Sequence, residues 1–268
     1  MYATLTSMNC GKYVDMIEVL IVPSLQSSAR KAADLLVGSR YETVFLNFPR
    51  NLQSLVSSYM LGMQSLDGLR RALENEKLIP EPVGTWFYLN APLLEALCKL
   101  DRNVRIFCYK DVDYYHLQMQ VASKIANLTF RASATGKLDV DEWIKALKEN
   151  LQYDSTTYEA EYVAYKARGR VICLAGLAGW KLANGIKALG RKTTIRCVER
   201  FYRFKPLEVM EALLELGKLT KDVAEKLIWE HVEFIRSYVL STKTIDEAYF
   251  LWLLSKHHYK TPPPQIQV

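Results

Sequence analysis

Histidine is scarce in this chain, and its scarcity removes more chemistry than any other feature of the sequence. There are four, His116, His231, His257 and His258, and none lies at a metal-ligand spacing with a cysteine or another histidine on one helix face. No metal site is expected and no cofactor is implied. Cysteine excludes a second class. The five residues, Cys10, Cys98, Cys108, Cys173 and Cys197, are odd in number, and no two have the C-x-x-C spacing. Cys108, Cys173 and Cys197 fall inside apolar runs and read as small buried hydrophobes, which fits a reducing compartment. Long apolar runs are missing as well. The longest in the C-terminal half, Val171 to Trp180, is broken by Lys181 and falls short of the ~20 residues that span a bilayer. Residues 1 to 12 have no charged-then-apolar leader pattern. The expectation is a soluble cytoplasmic protein that does not enter a membrane.

What is present is a 268-residue chain of ordinary globular composition, 50% hydrophobic and 24% charged, long enough to bury a core without staples. Its charge is unevenly placed. Residues 160 to 205 carry eleven Lys or Arg against two acidic residues, a net +9 in a chain whose total is +6. Such a field attracts phosphates, acidic proteins or nucleic acid.

The hydrophobic pattern predicts five strands: Glu18 to Pro23, Glu42 to Phe48, Asn103 to Tyr109, Arg170 to Ala175 and Thr193 to Val198. Helices separate them. The first is 29–36, with Ser27 or Ser28 as cap. Next come 52–76 with a weak point at Gly62, a loop over 78–84, and 91–100 with Pro92 in its first turn. Helices 111–128, 139–151, 158–166 and 180–189 follow. The first strand–helix–strand unit is expected to form a parallel pair with a right-handed crossover. Helices 207–216, 220–238 and 246–254 follow the last strand, and the tail with Pro262 to Pro264 reads as loose. The fold class is therefore α/β, a mostly parallel sheet of about five strands with helices on both faces. The division predicted is a core over 1–205 and a helical segment over 206–268, the latter a candidate partner surface.

The order of elements, with a few short matches over roughly Met16 to Lys205, resembles the TraB/PrgY proteins and their ChaN-like and erythromycin-esterase-like relatives. That resemblance implies reactive side chains at four places. The turn after the first strand, Val22-Pro-Ser-Leu-Gln-Ser-Ser-Ala-Arg30, has no histidine. The second strand, Val44-Phe-Leu-Asn-Phe-Pro-Arg50, has Asn47 where an acid is expected and keeps Arg50. The later helix, Tyr158-Glu-Ala-Glu-Tyr-Val-Ala164, keeps Glu159 and lacks the preceding Arg. The turn Gly176-Leu-Ala-Gly179 keeps its first glycine and has Gly179 where the resemblance implies histidine. Ser, Asn and Gly neither bind a metal nor move protons as a histidine–carboxylate set does. The resemblance thus implies a hydrolase-like fold whose chemistry is lost or replaced.

Candidate residues follow from where strands end. Ligands of open α/β sheets bind at the carboxyl edge, which nominates Ser24, Gln26, Asn47 and Arg50, with Arg50 as the anion grip. Gly176, Gly179 and Lys181 open a helix and are candidates for an anion cradle, against the simpler reading of a tight turn. Glu159 is the candidate base, against ordinary surface pairing. Glu199-Arg-Phe-Tyr-Arg-Phe-Lys205 interleaves rings with cations, the pattern that stacks bases and holds phosphates. Together with Lys187, Arg191 and Lys192 it nominates Arg200, Arg203 and Lys205 for nucleic-acid or anion binding, unless the rings pack under the last helices. Three functions remain open: a catalytically degenerate binding or regulatory module, a hydrolase for an anionic substrate, and a nucleic-acid-binding protein.

Overall fold

The structure, a computed structural model, describes residues 16–80, 82–153 and 155–257. Cys10, His258 and the Pro262–Pro264 tail lie outside the described residues. The chain forms two compact units. Among the described residues, the first comprises 16–24, 28–80, 82–112 and 155–198, and the second 25–27, 113–153 and 199–257. The division therefore does not run at Lys205. Residues 113–154 join the C-terminal helices because they share one apolar core with them, in which Val121, Ile125, Trp143 and Leu147 meet Met210 and Ile228.

The first unit is a five-stranded parallel sheet of β1 (Ile17–Ile21), β2 (Thr43–Pro49), β3 (Arg105–Lys110), β4 (Val171–Ala175) and β5 (Thr193–Cys197), in the order β3-β2-β4-β1-β5. All five strands lie where the apolar runs predict them. Their order differs from expectation in one respect. β1 and β2 are parallel but not adjacent, because β4 lies between them, pairing Ile17 with Val171 and Thr43 with Val171. β4 is buried throughout, as a strand with neighbours on both sides and helices on both faces must be. β5 is different. It pairs with β1 alone, its residues Thr194 to Cys197 are exposed, and Arg196 reaches across to Glu18 at 2.6 Å. Cys197 is accordingly exposed, not the buried hydrophobe expected. Cys98 is exposed too, whereas Cys108 and Cys173 are buried, and all four are free thiols.

The helices of this unit are α1 (Gln26–Val37), α2 (Gln53–Met60), α3 (Leu66–Glu76), α4 (Val83–Leu97), α7 (Thr156–Lys166) and α8 (Gly179–Ala188). The long helix expected over 52–76 breaks in two. Gly62 takes a positive φ of 72°, a conformation glycine adopts freely, and Ser65 then caps α3 by accepting from the Gly68 N–H at 3.1 Å. α4 starts eight residues earlier than expected and carries Pro92 in its interior. Its buried face (Val83, Trp86, Leu93, Leu94 and Leu97, with Trp86 edge-on to Phe48) outweighs the one backbone hydrogen bond a proline forfeits. α8 approaches the sheet through Gly179. A Cβ there would lie 2.9 Å from the Ala175 Cβ and 3.1 Å from Ile21. One turn and a half later, a Cβ on Gly185 would meet the Ala160 Cβ of α7 at 2.9 Å.

The second unit is helical: α5 (Val112–Thr135, after its first residue), α6 (Val140–Gln152), α9 (Pro206–Glu215), α10 (Lys221–Phe234) and α11 (Ile245–His257). The helix predicted over 220–238 ends at Phe234 and continues as a π-helical turn, Ile235–Val239. Residues 25–27 belong to this unit. Ser27 lies inside the helix it was expected to cap, and the N–H groups of Gln26 and Ser27 are taken by the Asp246 carboxylate at 3.0 and 2.8 Å. His231 is buried edge-on to Trp143. Burial, then the nearby Lys205 charge, pushes its pKa down to about 4.

Two expectations follow. Gly179→Ala forces a methyl into a filled contact and is expected to cost about 1–3 kcal/mol, whereas Gly176→Ala, whose Cβ would stand 3.7 Å from Asn47, is expected to be near neutral; urea unfolding of both variants checks this. His231 titrates lower folded than unfolded, so the unfolded chain binds more protons between about pH 6.5 and 4. Stability is lost as pH falls through that window, by up to about 3 kcal/mol. His231→Phe should remove that component of the slope, read as the difference in Tm between variant and parent at pH 7 and pH 4.5.

Candidate functional site

The carboxyl ends of β3, β2 and β4 lie side by side, and one side chain crosses all three. Tyr109, the penultimate residue of β3, is fully buried. Its hydroxyl donates to the Leu174 carbonyl of β4 at 3.0 Å and stands 3.2 Å from Asn47 Oδ1 on β2. Burial raises its pKa well above the ordinary phenol value, with smaller contributions from Cys173 and Glu159. Tyr109 is thus a fixed neutral strut. Asn47, half-buried, is oriented by it, with Gly176 beside its amide nitrogen.

Glu159 comes from α7 and is 4% exposed. The Lys110 ammonium lies 3.0 Å from its Oε1 and 3.2 Å from its Oε2, and the Asp111 backbone N–H donates to Oε1 at 3.1 Å. Both carboxylate oxygens are therefore engaged at the end of β3. Neither free base chemistry nor exposed surface pairing describes this residue: it is a buried tie between α7 and the sheet edge.

Arg50 follows β2 in a 3₁₀ turn, Arg50–Leu52. Its Nε donates to the Tyr109 carbonyl at 3.2 Å, and its guanidinium carbon lies 4.8 Å from the centre of the Tyr162 ring. These two contacts fix the plane of the fork. One terminal nitrogen is buried with no hydrogen-bond partner, and no carboxylate pairs with Arg50 among the described residues. Buried donors are normally satisfied, and leaving one bare costs about 1–3 kcal/mol. A ligand oxygen placed there would recover that cost.

The other candidates are placed elsewhere or already engaged. Ser24 is exposed in the turn after β1, and Gln26 belongs to the second unit, its N–H on Asp246. At the start of α8 the Gly179 and Lys181 N–H groups bond to Gly176 and Ala178 carbonyls at 2.9 Å, so the expected anion cradle has lost two of its donors to the turn. The Lys181 ammonium stands 5.7 Å from the Trp180 ring. Arg50 and Glu159 meet at consecutive residues of β3, and Lys181 is held at its own neighbour. Of the basic candidates, Lys187 and Lys192 are exposed, while Arg191 donates to the Ala164 carbonyl at 2.9 Å. In the second unit Arg200 is exposed, Arg203 lies over the Trp252 ring, and Lys205 pairs with Glu208 at 2.9 Å.

Tyr109, Lys110 and Tyr162 were not nominated from sequence. The signal was present for two of them: Tyr109-Lys110-Asp111 is a polar strand end of the same kind as Asn47 to Arg50. The buried thiols add no nucleophile. Burial pushes Cys108 up to about 12 and Cys173 further, and a thiol so raised is inert. Among the described residues no three His, Cys, Asp or Glu are grouped to hold a metal, and no helix is long and apolar enough to cross a membrane. No family model, curated protein or solved structure matches this chain.

Removing the tie should be felt as stability. Glu159→Ala strips the Lys110 ammonium of this partner and removes the Glu159 oxygen to which the Asp111 N–H donates. The expected loss is about 2–4 kcal/mol, read from denaturant unfolding, with Glu161→Ala on the exposed side of the same helix as a near-neutral control.

Proposed function

We propose that this chain is a divergent relative of the TraB/PrgY and ChaN-like proteins that works as a binding module without hydrolytic chemistry. Its ligand is a small molecule bearing a carboxylate or phosphate, gripped by Arg50 at the carboxyl ends of β2 and β3. The observation that carries this reading is the contrast between two neighbouring groups. Glu159, the acid nominated as base, has both oxygens engaged, whereas the Arg50 fork is fixed in orientation and has a buried nitrogen bonded to nothing.

Two further observations support it. Position 179, where the resemblance implies histidine, has no room for even a Cβ, and Asn47 is a neutral amide held by Tyr109. Binding survives these features and general base catalysis does not. A hydrolase reading would need Glu159 free, and freeing it would break the tie to Lys110.

The test is a thermal-shift titration of the full chain with inorganic phosphate, acetate and AMP, paired with hydrolysis assays on p-nitrophenyl acetate and p-nitrophenyl phosphate. An anion bound to the native state raises Tm by mass action. Arg50→Met should abolish that rise, and Arg50→Lys should weaken it, because a point charge replaces a planar fork. Loss of one charge-assisted hydrogen bond of about 1.5–3 kcal/mol corresponds to roughly ten- to hundredfold in affinity. Hydrolysis should stay at the buffer rate. Turnover that disappears in Glu159→Gln, or a Tm indifferent to every anion, would sink the proposal.

A further inference from the structure

The second unit contains a cavity of about 610 Å³ lined by α5, α6, α9, α10 and the π-helical turn. The volume falls within the range of small-molecule sites. Its walls are mostly aliphatic, Val121, Ile125, Leu147 and Val232 among them. Apolar walls alone would say nothing of an occupant, but three polar groups line the same space, and one of them presents a buried atom bonded to nothing. The Asn150 side-chain oxygen is buried and accepts no hydrogen bond. Glu211 makes no hydrogen bond or ion pair among the described residues, and desolvation, reinforced by Glu208 and Glu215 and opposed by Lys205, raises its pKa to about 7. His231 is buried and held neutral, its pKa pushed down to about 4. The π-helical turn adds Ile235 and Arg236 to the lining; such irregular turns are frequent at binding sites.

These groups share a polarity. A carboxylate and a bare amide oxygen both accept, and a neutral imidazole can. The charges nearby are three acids, Glu208, Glu211 and Glu215, against Lys205, which is already paired with Glu208, and Arg236, which is exposed to water. A carboxylate ligand would meet that acidic cluster at low dielectric. A ligand that donates N–H groups and carries positive charge would satisfy it.

We propose that this cavity binds a small apolar amine, its hydrocarbon body against the aliphatic walls and its ammonium directed to the Glu211 carboxylate and the Asn150 side-chain oxygen. Binding requires the Glu211 carboxylate, so protons on that group compete with the ligand. The amine itself stays protonated across the range tested, and His231 stays neutral above about pH 5.

The experiment is isothermal titration of the full chain with n-hexylamine and 2-phenylethylamine at pH 8 and pH 5.5, with hexanol and hexanoate as controls. Both amines are expected to bind at pH 8, at least tenfold more tightly than hexanol, and hexanoate is expected not to bind. Affinity should fall by roughly tenfold or more at pH 5.5, as Glu211 takes up a proton. Glu211→Gln keeps the side-chain shape, removes the charge of this half-buried carboxyl and should abolish the preference for amine over alcohol. Ala126→Trp, at an exposed position on the lining, should block both. Equal binding of amine and alcohol, binding of hexanoate, amine affinity untouched by Glu211→Gln, or concentration-dependent self-association that Ala126→Trp abolishes would each overturn the proposal.

Discussion

The Glu159 carboxylate sits where the first unit cannot do without it. The last residue of β3 and the first residue beyond it both present donors, the Lys110 ammonium and the Asp111 N–H, and one buried acid from α7 takes both. A buried ion pair is of doubtful net value when compared with apolar packing, but losing one partner is costly because the other charge is left in a poor solvent. α7 is thereby fixed against the sheet edge, and with it Tyr162, the ring on which Arg50 lies. Tyr109, one residue before Lys110, spans from β3 to the carbonyl of Leu174. The orientation of Arg50 thus descends from three residues of a single strand end, since its Nε rests on the Tyr109 carbonyl.

How much of this was legible depended on the range of the interactions involved. Each strand was visible as a short apolar run bounded by turn residues, and the two-part path through Gly62 was marked by a glycine that only the structure shows at φ 72°. Strand neighbours were not visible. Sequence-adjacent strands usually pair, and nothing in EVLIVP or ETVFLNF says that Val171 to Ala175 will sit between them. The burial of Cys197 was misjudged for a related reason. It falls in a strand-like run, but its exposure is set by β5 having one neighbour instead of two. α4 failed differently: Pro80, Pro82 and Pro92 signalled loop and helix start, and tertiary burial of Trp86 and Leu94 overrode the signal.

The site was partly legible on the same terms. Asn47, Arg50 and Glu159 were nominated, from strand ends and from a family pattern, and the structure brings them to the ends of β2 and β3. What sequence did not reveal was whether each group would be free. Freedom is a property of partners distant in sequence: 49 residues separate Lys110 from Glu159, and 59 separate Arg50 from Tyr109. The interleaved segment 199–205 divides between surface and core, with Arg200 and Phe201 exposed. Its spacing is that of a nucleic-acid surface, yet Tyr202 stacks on Tyr249 and Arg203 on Trp252, so part of the pattern is core.

Gly179 joins the fold to the chemistry. Under the proposed relation, a histidine would occupy that position at the mouth of the sheet. In this chain the absence of any side chain lets the first residue of α8 approach Ala175 and Ile21 to distances at which a Cβ would clash. Under that relation, the missing histidine and the close packing of α8 would share one cause. A side chain restored there would lift the start of α8 off β1 and β4. Because Gly185 holds the same helix against Ala160 of α7, it would also disturb the helix that carries Glu159. Interiors this closely packed accept such insertions by shifting backbone, not by absorbing them. The non-catalytic character proposed for the first unit therefore rests on how its helices pack, and single substitutions at the sheet edge do not reverse it.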